Sequence, residues 1–182
     1  NQIEEEICIT GLDIYKSRSL QMDILNTNII NLNKDSKFKF NIKLKVKDSF
    51  FNSNLTYDEY LLNLQNSRIF DKKFGGTKFG PHKSDIISII NDEFEGFLLS
   101  TGQQKTIVLL ILMAQCEYLV NQKKTHPILL FDEICSHLDS FNRQILLDMI
   151  NSFKIQFFLT GTDENLFSFM STNAEFYNIT DL

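Results

Sequence analysis

Apolar and polar side chains alternate strictly between residues 37 and 47. Lysine or asparagine stands at every odd position, and a large apolar residue stands at every even position. A period of two is typical of a β-strand that buries one face. The pattern alone leaves open whether the polar face keeps an edge strand soluble or contacts nucleic-acid phosphates. We therefore expect a strand with one cationic face, formed by Lys37, Lys39, Lys43, Lys45 and Lys47.

Helical spacing precedes this strand and returns after it. Isoleucine and leucine recur at helical intervals over residues 1–33, which predicts one or two helices. Thr56 followed by Glu59 forms a capping box, and it predicts the start of another helix. Residues 86–90 and 94–99 then predict two short strands joined by a turn at Asn91-Asp92.

Beyond Ser100 the pattern changes to alternating helices and strands. Ser100 is placed to cap a helix that runs to about Val120 and is apolar on nearly all sides. Residues 128–131 predict a central parallel strand covered on both faces. A helix at 141–151 and a buried strand at 155–159 complete a right-handed βαβ unit, and a last short strand is expected at 176–180. The predicted fold class is α/β, with parallel strands and flanking helices preceded by a partly helical arm.

The composition narrows the class of protein. The chain has 182 residues, is 43% hydrophobic and contains only 7 Gly and 2 Pro, which excludes a disordered or collagen-like chain. No apolar run reaches the roughly 18 residues that a membrane span needs. The net charge of -5 confines any nucleic-acid contact to a local surface. Three separated cysteines favour a reducing compartment without disulfides, and the first residues lack the pattern of a signal peptide, so we expect a cytoplasmic protein.

Two carboxylates, those of Asp132 and Glu133, follow directly after the apolar run at 128–131. The carboxyl edge of a parallel sheet is where ligands bind in open α/β folds. One carboxylate could hold Mg²⁺ through its water shell, while its neighbour could take a proton from an attacking water. The alternative is that both side chains only cap the following loop.

A second polar cluster lies where the long apolar helix is expected to begin. Ser100, Gly102 and Gln103 stand at its start, where free backbone N–H groups and the helix dipole favour an anion. An ordinary N-cap is the alternative, although a cap does not need Gly102, which lowers helix stability. Asp139 ends a third motif, Ser136-His137-Leu138-Asp139, shortly after the acidic pair.

Together and in this order, the three motifs resemble the second half of an ABC-type ATPase head. Residues 99–103 resemble the signature motif, residues 128–133 resemble Walker B, and residues 136–139 resemble the D-loop. Three further segments narrow the resemblance to the RecF family of DNA replication and repair proteins: Gln103-Gln104-Lys105, Gly80-Pro81-His82-Lys83-Ser84-Asp85 and Thr160-Gly161-Thr162-Asp163. The sequence departs from the pattern at Lys83-Ser84, where Arg-Asp is more usual. It departs again at Thr160 and Thr162, where many ABC ATPases have a switch histidine.

The resemblance implies a role for each motif. Asp132 would support Mg²⁺, and Glu133 would position or deprotonate the hydrolytic water. ATP held by a second subunit would be contacted at its γ-phosphate by Ser100, Gly102 and Gln103. Asp139 would lie at the interface of this ATP-dependent homodimer. A RecF-like protein would clamp DNA at gaps between single-stranded and double-stranded regions, and would cooperate with RecO and RecR to load RecA in recombination and the SOS response.

The phosphate loop GxxxxGK[ST] does not occur in the sequence. Because the first residue is also not Met, we expect the carboxyl-terminal portion of a longer protein, inactive as an ATPase by itself. Residues 1–35 would be the rest of a helical arm, and residues 36–182 the lobe with the signature and Walker B motifs. The alternatives are another SMC-type or ABC-type head, or a non-catalytic DNA-binding module that uses the Lys37–Lys47 face.

Overall fold

The computed structural model of the protein describes residues 2–34, 41–52, 54–153, 155–170 and 174–179. Two compact units interleave along the chain, the first formed by Asn1–Thr27 with Phe40–Gly96 and the second by Asn28–Lys39 with Phe97–Leu182. Within the first unit, the amino-terminal segment bonds to residues beyond position 35, since the Tyr15 hydroxyl donates to Asp48. The assignment of an arm and a head lobe stays a prediction.

The first unit contains most of a long helix and a three-stranded antiparallel sheet. Helix α1 spans Gln2–Lys34, so the residues predicted to form one or two helices form one. Strands β1 (Ile42–Lys47), β2 (Asp85–Ile90) and β3 (Phe94–Glu95) lie side by side in that order. Strand β1 pairs with β2 from Ile42 opposite Ile90 to Lys47 opposite Asp85. The alternation predicted for the strand is confirmed over β1, while residues 37–40 lie outside the described residues.

The sheet buries one face, on which Ile42, Leu44 and Ile90 are each at most 3% exposed. The turn predicted at Asn91-Asp92 is confirmed, and both residues have positive φ. The strand predicted at 94–99 is shorter than expected, because only Phe94 and Glu95 pair with β2. A 3-10 turn starts at Gly96, a residue with weak strand propensity.

Helix α2 (Tyr57–Phe74) follows the predicted capping box. The Thr56 hydroxyl accepts from the Glu59 N–H, and the Glu59 carboxylate accepts from the Thr56 N–H at 3.0 Å. Gly75 ends the helix in the left-handed conformation, at φ 79°. Arg68 of α2 donates two hydrogen bonds to the two carboxylate oxygens of Glu4, which ties α2 to α1. Fully buried Tyr60 packs with Cys8, Tyr15 and Leu64 in the core of this unit.

The second unit contains the predicted strand–helix–strand arrangement. Helix α3 (Thr101–Glu117) continues into a π-helical turn at Tyr118–Gln122. Strand β4 (Ile128–Phe131) pairs in parallel with β5 (Gln156–Leu159), and helix α4 (Ser140–Ser152) lies between them in sequence. The buried side chains of this unit include Leu109, Leu110, Met113, Cys116, Cys135 and Leu146. These elements confirm the α/β class that the sequence predicts.

Three expectations about this unit are wrong. Strand β4 is not covered on both faces, since Ile128 and Leu130 are 59% and 74% exposed and no described element packs over them. Helix α3 is likewise open on one side, where Val108 is 55% exposed. No strand forms over residues 176–179; Phe176 instead meets the Phe167 ring edge-on, and Thr180 lies outside the described residues.

Cys8, Cys116 and Cys135 are free and buried, as expected for a chain without disulfides. Burial raises the pKa of each thiol above its ordinary value, so each disfavours the reactive thiolate form. Among the described residues, no helix combines the length and the apolar character that crossing a membrane requires.

Candidate functional site

The acidic pair stands at the carboxyl end of β4, where the sequence predicts it. Asp132 is exposed, and Glu133 is half-buried. The Glu133 backbone is left-handed, with φ 52° and ψ 19°. A residue with a side chain rarely adopts this conformation, which costs of order 1 kcal/mol or more and recurs at functional sites. The conformation is anchored from one side by Ser136, whose hydroxyl donates to the Glu133 carbonyl at 2.6 Å.

Thr160, the residue after β5, contacts both members of the pair. Its hydroxyl donates to the Oδ1 atom of Asp132 and accepts from the Glu133 N–H at 3.1 Å. Its own N–H donates to the Phe131 carbonyl at 2.9 Å, which extends the β4–β5 pairing by one bond. Thr160 belongs to a RecF-like segment of the sequence and stands where many ABC ATPases have a switch histidine, but neither feature predicts these contacts. The βαβ pattern of the sequence could have indicated them, because the carboxyl ends of two neighbouring parallel strands lie side by side.

The second cluster forms a capping box at the start of α3. The Ser100 hydroxyl accepts from the Gln103 N–H at 3.4 Å, and the Gln103 side-chain oxygen accepts from the Ser100 N–H at 3.1 Å. This confirms that Ser100 caps the helix, while the anion site expected at the same helix start stays a prediction. Gln104 fixes the segment leading into the helix, because its side-chain amide donates to the Phe97 and Leu99 carbonyls, at 2.8 Å each.

Gly102 has no packing reason to be glycine within the described structure. A Cβ atom added there would have no heavy atom within 4 Å, and its backbone does not have the positive φ that favours glycine. Glycine is about 1 kcal/mol less favourable than alanine in a helix interior, so Gly102 in the first turn of α3 does not add to helix stability. The open space beside Gly102 is available to an incoming group.

Asp139 caps helix α4, and its carboxylate accepts from the Asn142 N–H at 2.8 Å. The Asn142 side chain in turn accepts from the Thr106 hydroxyl of α3 at 2.6 Å, in a buried contact. The same hydroxyl lies 3.0 Å from the Gly102 carbonyl. A short chain of hydrogen bonds therefore joins the start of α3 to the cap of α4. Sequence spacing does not reveal this link, since its two side chains are 36 residues apart.

The structure thus gathers the predicted residues into two groups. Asp132 and Glu133 meet at Thr160, whereas Ser100, Gly102 and Gln103 are linked to Asp139 through Thr106 and Asn142. Within the described residues, no hydrogen bond or ion pair joins one group to the other.

A magnesium ion fits this donor set only with additional ligands. No group of three or more His, Cys, Asp or Glu side chains among the described residues is placed to hold a metal. Asp132 offers an exposed carboxylate, and Mg²⁺ commonly binds through one or two carboxylates, retained waters and substrate phosphates. Asp132 is therefore the residue that would hold the ion.

The cationic face of β1 is only partly free. Lys43 and Lys45 are exposed, but Lys47 forms an ion pair with Glu95 at 2.7 Å, and Asp85 is its cross-strand neighbour. Lys37 and Lys39 lie outside the described residues. The assignment of DNA binding to these lysines stays a prediction.

Comparison with known proteins decides the family. The family described as RecF/RecN/SMC N terminal domain matches residues 7–181. The chain belongs to this family. This confirms the RecF-like ABC/SMC ATPase region that the motifs predict.

Several curated RecF proteins are similar to this RecF-like chain. The DNA replication and repair protein RecF of Rhizobium etli (strain CIAT 652) is 38% identical over 125 residues, which are 68% of this chain and 33% of the relative. RecF of Rhizobium leguminosarum bv. trifolii (strain WSM2304) is 31% identical over 186 residues, covering 98% of this chain and 49% of the relative. RecF of Rickettsia bellii (strain OSU 85-389) is 32% identical over 166 residues, covering 88% of this chain and 46% of the relative. The RecF-like chain therefore spans less than half the length of these relatives.

Two solved structures have the same fold as this RecF-like chain. They are the recombination mediator protein RecF-ATP in the RecFOR pathway and its RecF-ATPrS counterpart, at 23% and 24% sequence identity. Each matches with a TM-score of 0.65 and covers 89% of this chain and 44% of that chain. The likeness confirms the α/β fold with its parallel strand pair and flanking helices.

Proposed function

We propose that this chain is the signature-bearing and Walker B-bearing half of a RecF-like DNA-repair ATPase. The whole protein would bind DNA as an ATP-dependent homodimer and, with RecO and RecR, help to load RecA at gaps. The observation that best supports this is the acidic pair at the end of β4, with Glu133 held in a left-handed conformation between Ser136 and Thr160. A loop-capping role alone gives no reason for that conformation.

Each motif has a proposed role in hydrolysis. Asp132 would hold Mg²⁺ through water, and the Glu133 carboxylate would orient or deprotonate the attacking water. Ser100, Gly102 and Gln103 would meet the γ-phosphate of ATP held by the second subunit. The open space beside Gly102 and the exposure of Ser100 support such an approach. Asp139 would lie at the same subunit interface.

The phosphate loop would come from a second half of the protein, on the same chain or as a separate one. The absence of GxxxxGK[ST] from these 182 residues and the partial coverage of the relatives support this. So do the exposed apolar side chains of Ile128, Leu130 and Phe158 on the β4–β5 sheet, which a further strand or helix would cover. The complete protein consists of these residues together with that half. ATP hydrolysis by the 182 residues alone is not expected.

Placing an arginine at the cap of α3 tests the proposed contact between subunits. Ser100→Arg in the complete protein is expected to abolish ATP-dependent dimerisation, because a large cation replaces the exposed hydroxyl at the contact. ATP binding to the monomer should change by less than about twofold, since the phosphate loop is untouched. Sedimentation with and without ATP measures the first effect, and nucleotide titration measures the second.

Gln144→Arg is the matched control, because Gln144 is exposed on α4 and receives the same charge. It should dimerise normally. Dimerisation of Ser100→Arg at wild-type ATP concentrations would contradict a signature motif that acts on the second subunit.

Two observations would separate a RecF-like protein from another SMC-type head. RecA loading with RecO and RecR would support the RecF-like protein, and a long heptad coil in the other half would favour the SMC-type head.

The exposure of Lys43 and Lys45 supports a second candidate, a DNA-binding surface on β1. Replacing both with Glu in the complete protein is expected to weaken DNA binding. If each lysine neutralises one phosphate, the slope of log K against log salt should fall by about 2. Lys123→Glu with Lys124→Glu, at two exposed positions elsewhere, is the control. An unchanged salt slope in the β1 variant would remove this surface from the DNA contact.

A further inference from the structure

We propose that Thr160 is a positioning residue for the hydrolytic site, fixing Asp132 and Glu133 through a single hydroxyl group. This inference rests on the proposed ATPase function and adds to it a residue outside the three motifs. Thr160 would touch neither ATP nor the attacking water. It would act through Asp132, which is proposed to hold Mg²⁺, and through Glu133, which is proposed to orient the attacking water.

The Thr160 hydroxyl makes two hydrogen bonds, one as a donor and one as an acceptor. A threonine hydroxyl has one hydrogen to donate and two lone pairs that accept. Here the hydrogen goes to the Oδ1 atom of Asp132, and one lone pair accepts from the Glu133 N–H at 3.1 Å. Each contact leaves the other in place, so one side chain serves two consecutive residues.

The position of Thr160 is set by the sheet. Its N–H donates to the Phe131 carbonyl at 2.9 Å, directly after the last paired residues of β4 and β5, Phe131 and Leu159. Its β-branched side chain also restricts χ1 more than serine does. The hydroxyl is therefore held by regular strand pairing at the edge where the acidic pair emerges.

Glu133 is consequently fixed on both sides of its α-carbon. Thr160 holds its N–H, and Ser136 holds its carbonyl through the hydroxyl at 2.6 Å. A left-handed residue that lost one of these anchors could relax toward an ordinary conformation, which would turn its side chain away. For Asp132, occupation of Oδ1 orients the carboxylate and leaves Oδ2 for a water or a cation.

A purely structural role fits the surroundings less well. Thr160 and Asp132 are both exposed, and hydrogen bonds at exposed sites add only about 1 kcal/mol to stability. Replacing Thr160 should therefore change folding little. A misplacement of about 1 Å at a reacting group can lower a rate by about 10²-fold. Stability and turnover should thus respond very differently to the same substitution.

The test compares Thr160→Val, which keeps the shape and removes the hydroxyl, with Thr160→Ser, which keeps the hydroxyl. In the complete protein, Thr160→Val is expected to lower kcat by about 10-fold to 100-fold and to leave the KM for ATP within about twofold. Thr160→Ser should retain most of the activity. Hydrogen exchange supplies a readout independent of turnover, because the Glu133 amide should lose protection in the Val variant and keep it in the Ser variant.

A Glu133→Gln background shows whether Thr160 acts through Glu133. There, adding Thr160→Val should lower the residual rate by much less than it does in the unchanged protein, since coupled residues are not additive. Full kcat in Thr160→Val, a raised KM with unchanged kcat, or a Ser variant as slow as the Val variant would each overturn the proposal. If the proposed ATPase function itself is wrong, the unchanged protein hydrolyses no ATP, and this result distinguishes that failure from a failure of the Thr160 proposal.

Discussion

Glu133→Gln in the complete protein is expected to lower ATP hydrolysis by at least about 100-fold and to prolong the ATP-bound dimer. General-base catalysis contributes about 10²-fold to 10⁴-fold, and a neutral amide cannot accept the proton of the attacking water. The substitution keeps the size of the side chain and every backbone contact of Glu133, including those to Ser136 and Thr160. ATP binding should therefore persist while turnover stops. Single-turnover hydrolysis and the ATP-dependent dimer fraction measure the two effects.

Glu164→Gln is the control for the same change of side chain, because Glu164 is exposed and lies beyond β5, outside the contacts of the acidic pair. It should hydrolyse ATP at the rate of the unchanged protein. Normal turnover by Glu133→Gln would remove Glu133 from the role of base. A loss of ATP binding together with turnover would instead indicate that this residue contributes to the nucleotide pocket.

The local features of the fold are predictable because they depend on residues close in sequence. Thr56 and Glu59 form the expected capping box, Ser100 caps the expected helix, and β1 alternates as its sequence does. The apolar run in β4 shows the limit of such reasoning. Ile128 and Leu130 look like residues covered by their own domain, and an apolar side chain gives the same pattern whichever segment covers it.

The candidate site likewise has features that the sequence predicts and features that it does not. The position of Asp132 and Glu133 at the end of a strand follows from the sequence pattern, and so does the helix start at Ser100. The contact of Thr160 with the acidic pair depends on which strands are neighbours, and the left-handed backbone of Glu133 depends on anchors from two segments. The spacing of residues along the sequence shows neither the strand neighbours nor these anchors. Both features depend on long-range contacts, which only the folded structure shows.

The first unit has its own sensitive point at Asp48, which organises the turn after β1. Its carboxylate accepts from the Phe50 N–H at 2.7 Å, from the Phe51 N–H at 2.9 Å and from the Tyr15 hydroxyl at 2.9 Å. The Tyr15 ring also stacks on Phe51, with 4.1 Å between centroids. Burial opposes the charge of Asp48, but the two backbone donors and the Tyr15 hydroxyl outweigh it, and the pKa of Asp48 is lowered.

Asp48→Asn is therefore expected to lower the free energy of unfolding by about 2 kcal/mol at neutral pH. Hydrogen bonds to a charged acceptor contribute about 1.5 to 3 kcal/mol, and the amide offers one neutral oxygen where the carboxylate offers two charged ones. Urea unfolding of the complete protein, followed by circular dichroism because the 182 residues have no Trp, measures the loss. Asp13→Asn, at an exposed position on α1, should change stability by less than about 0.5 kcal/mol.

The pH dependence separates the charge of Asp48 from its shape. Because the folded pKa lies below the unfolded value of about 3.9, the carboxylate stabilises the fold fully above that value. This stabilisation is lost as the pH falls through the folded pKa, since both states are then protonated. The difference between the unchanged protein and Asp48→Asn should thus be constant from about pH 5 to 7 and shrink below about pH 4. A difference that stays the same down to pH 2 would show that the amide disrupts the turn by shape, and that the charge of Asp48 contributes nothing.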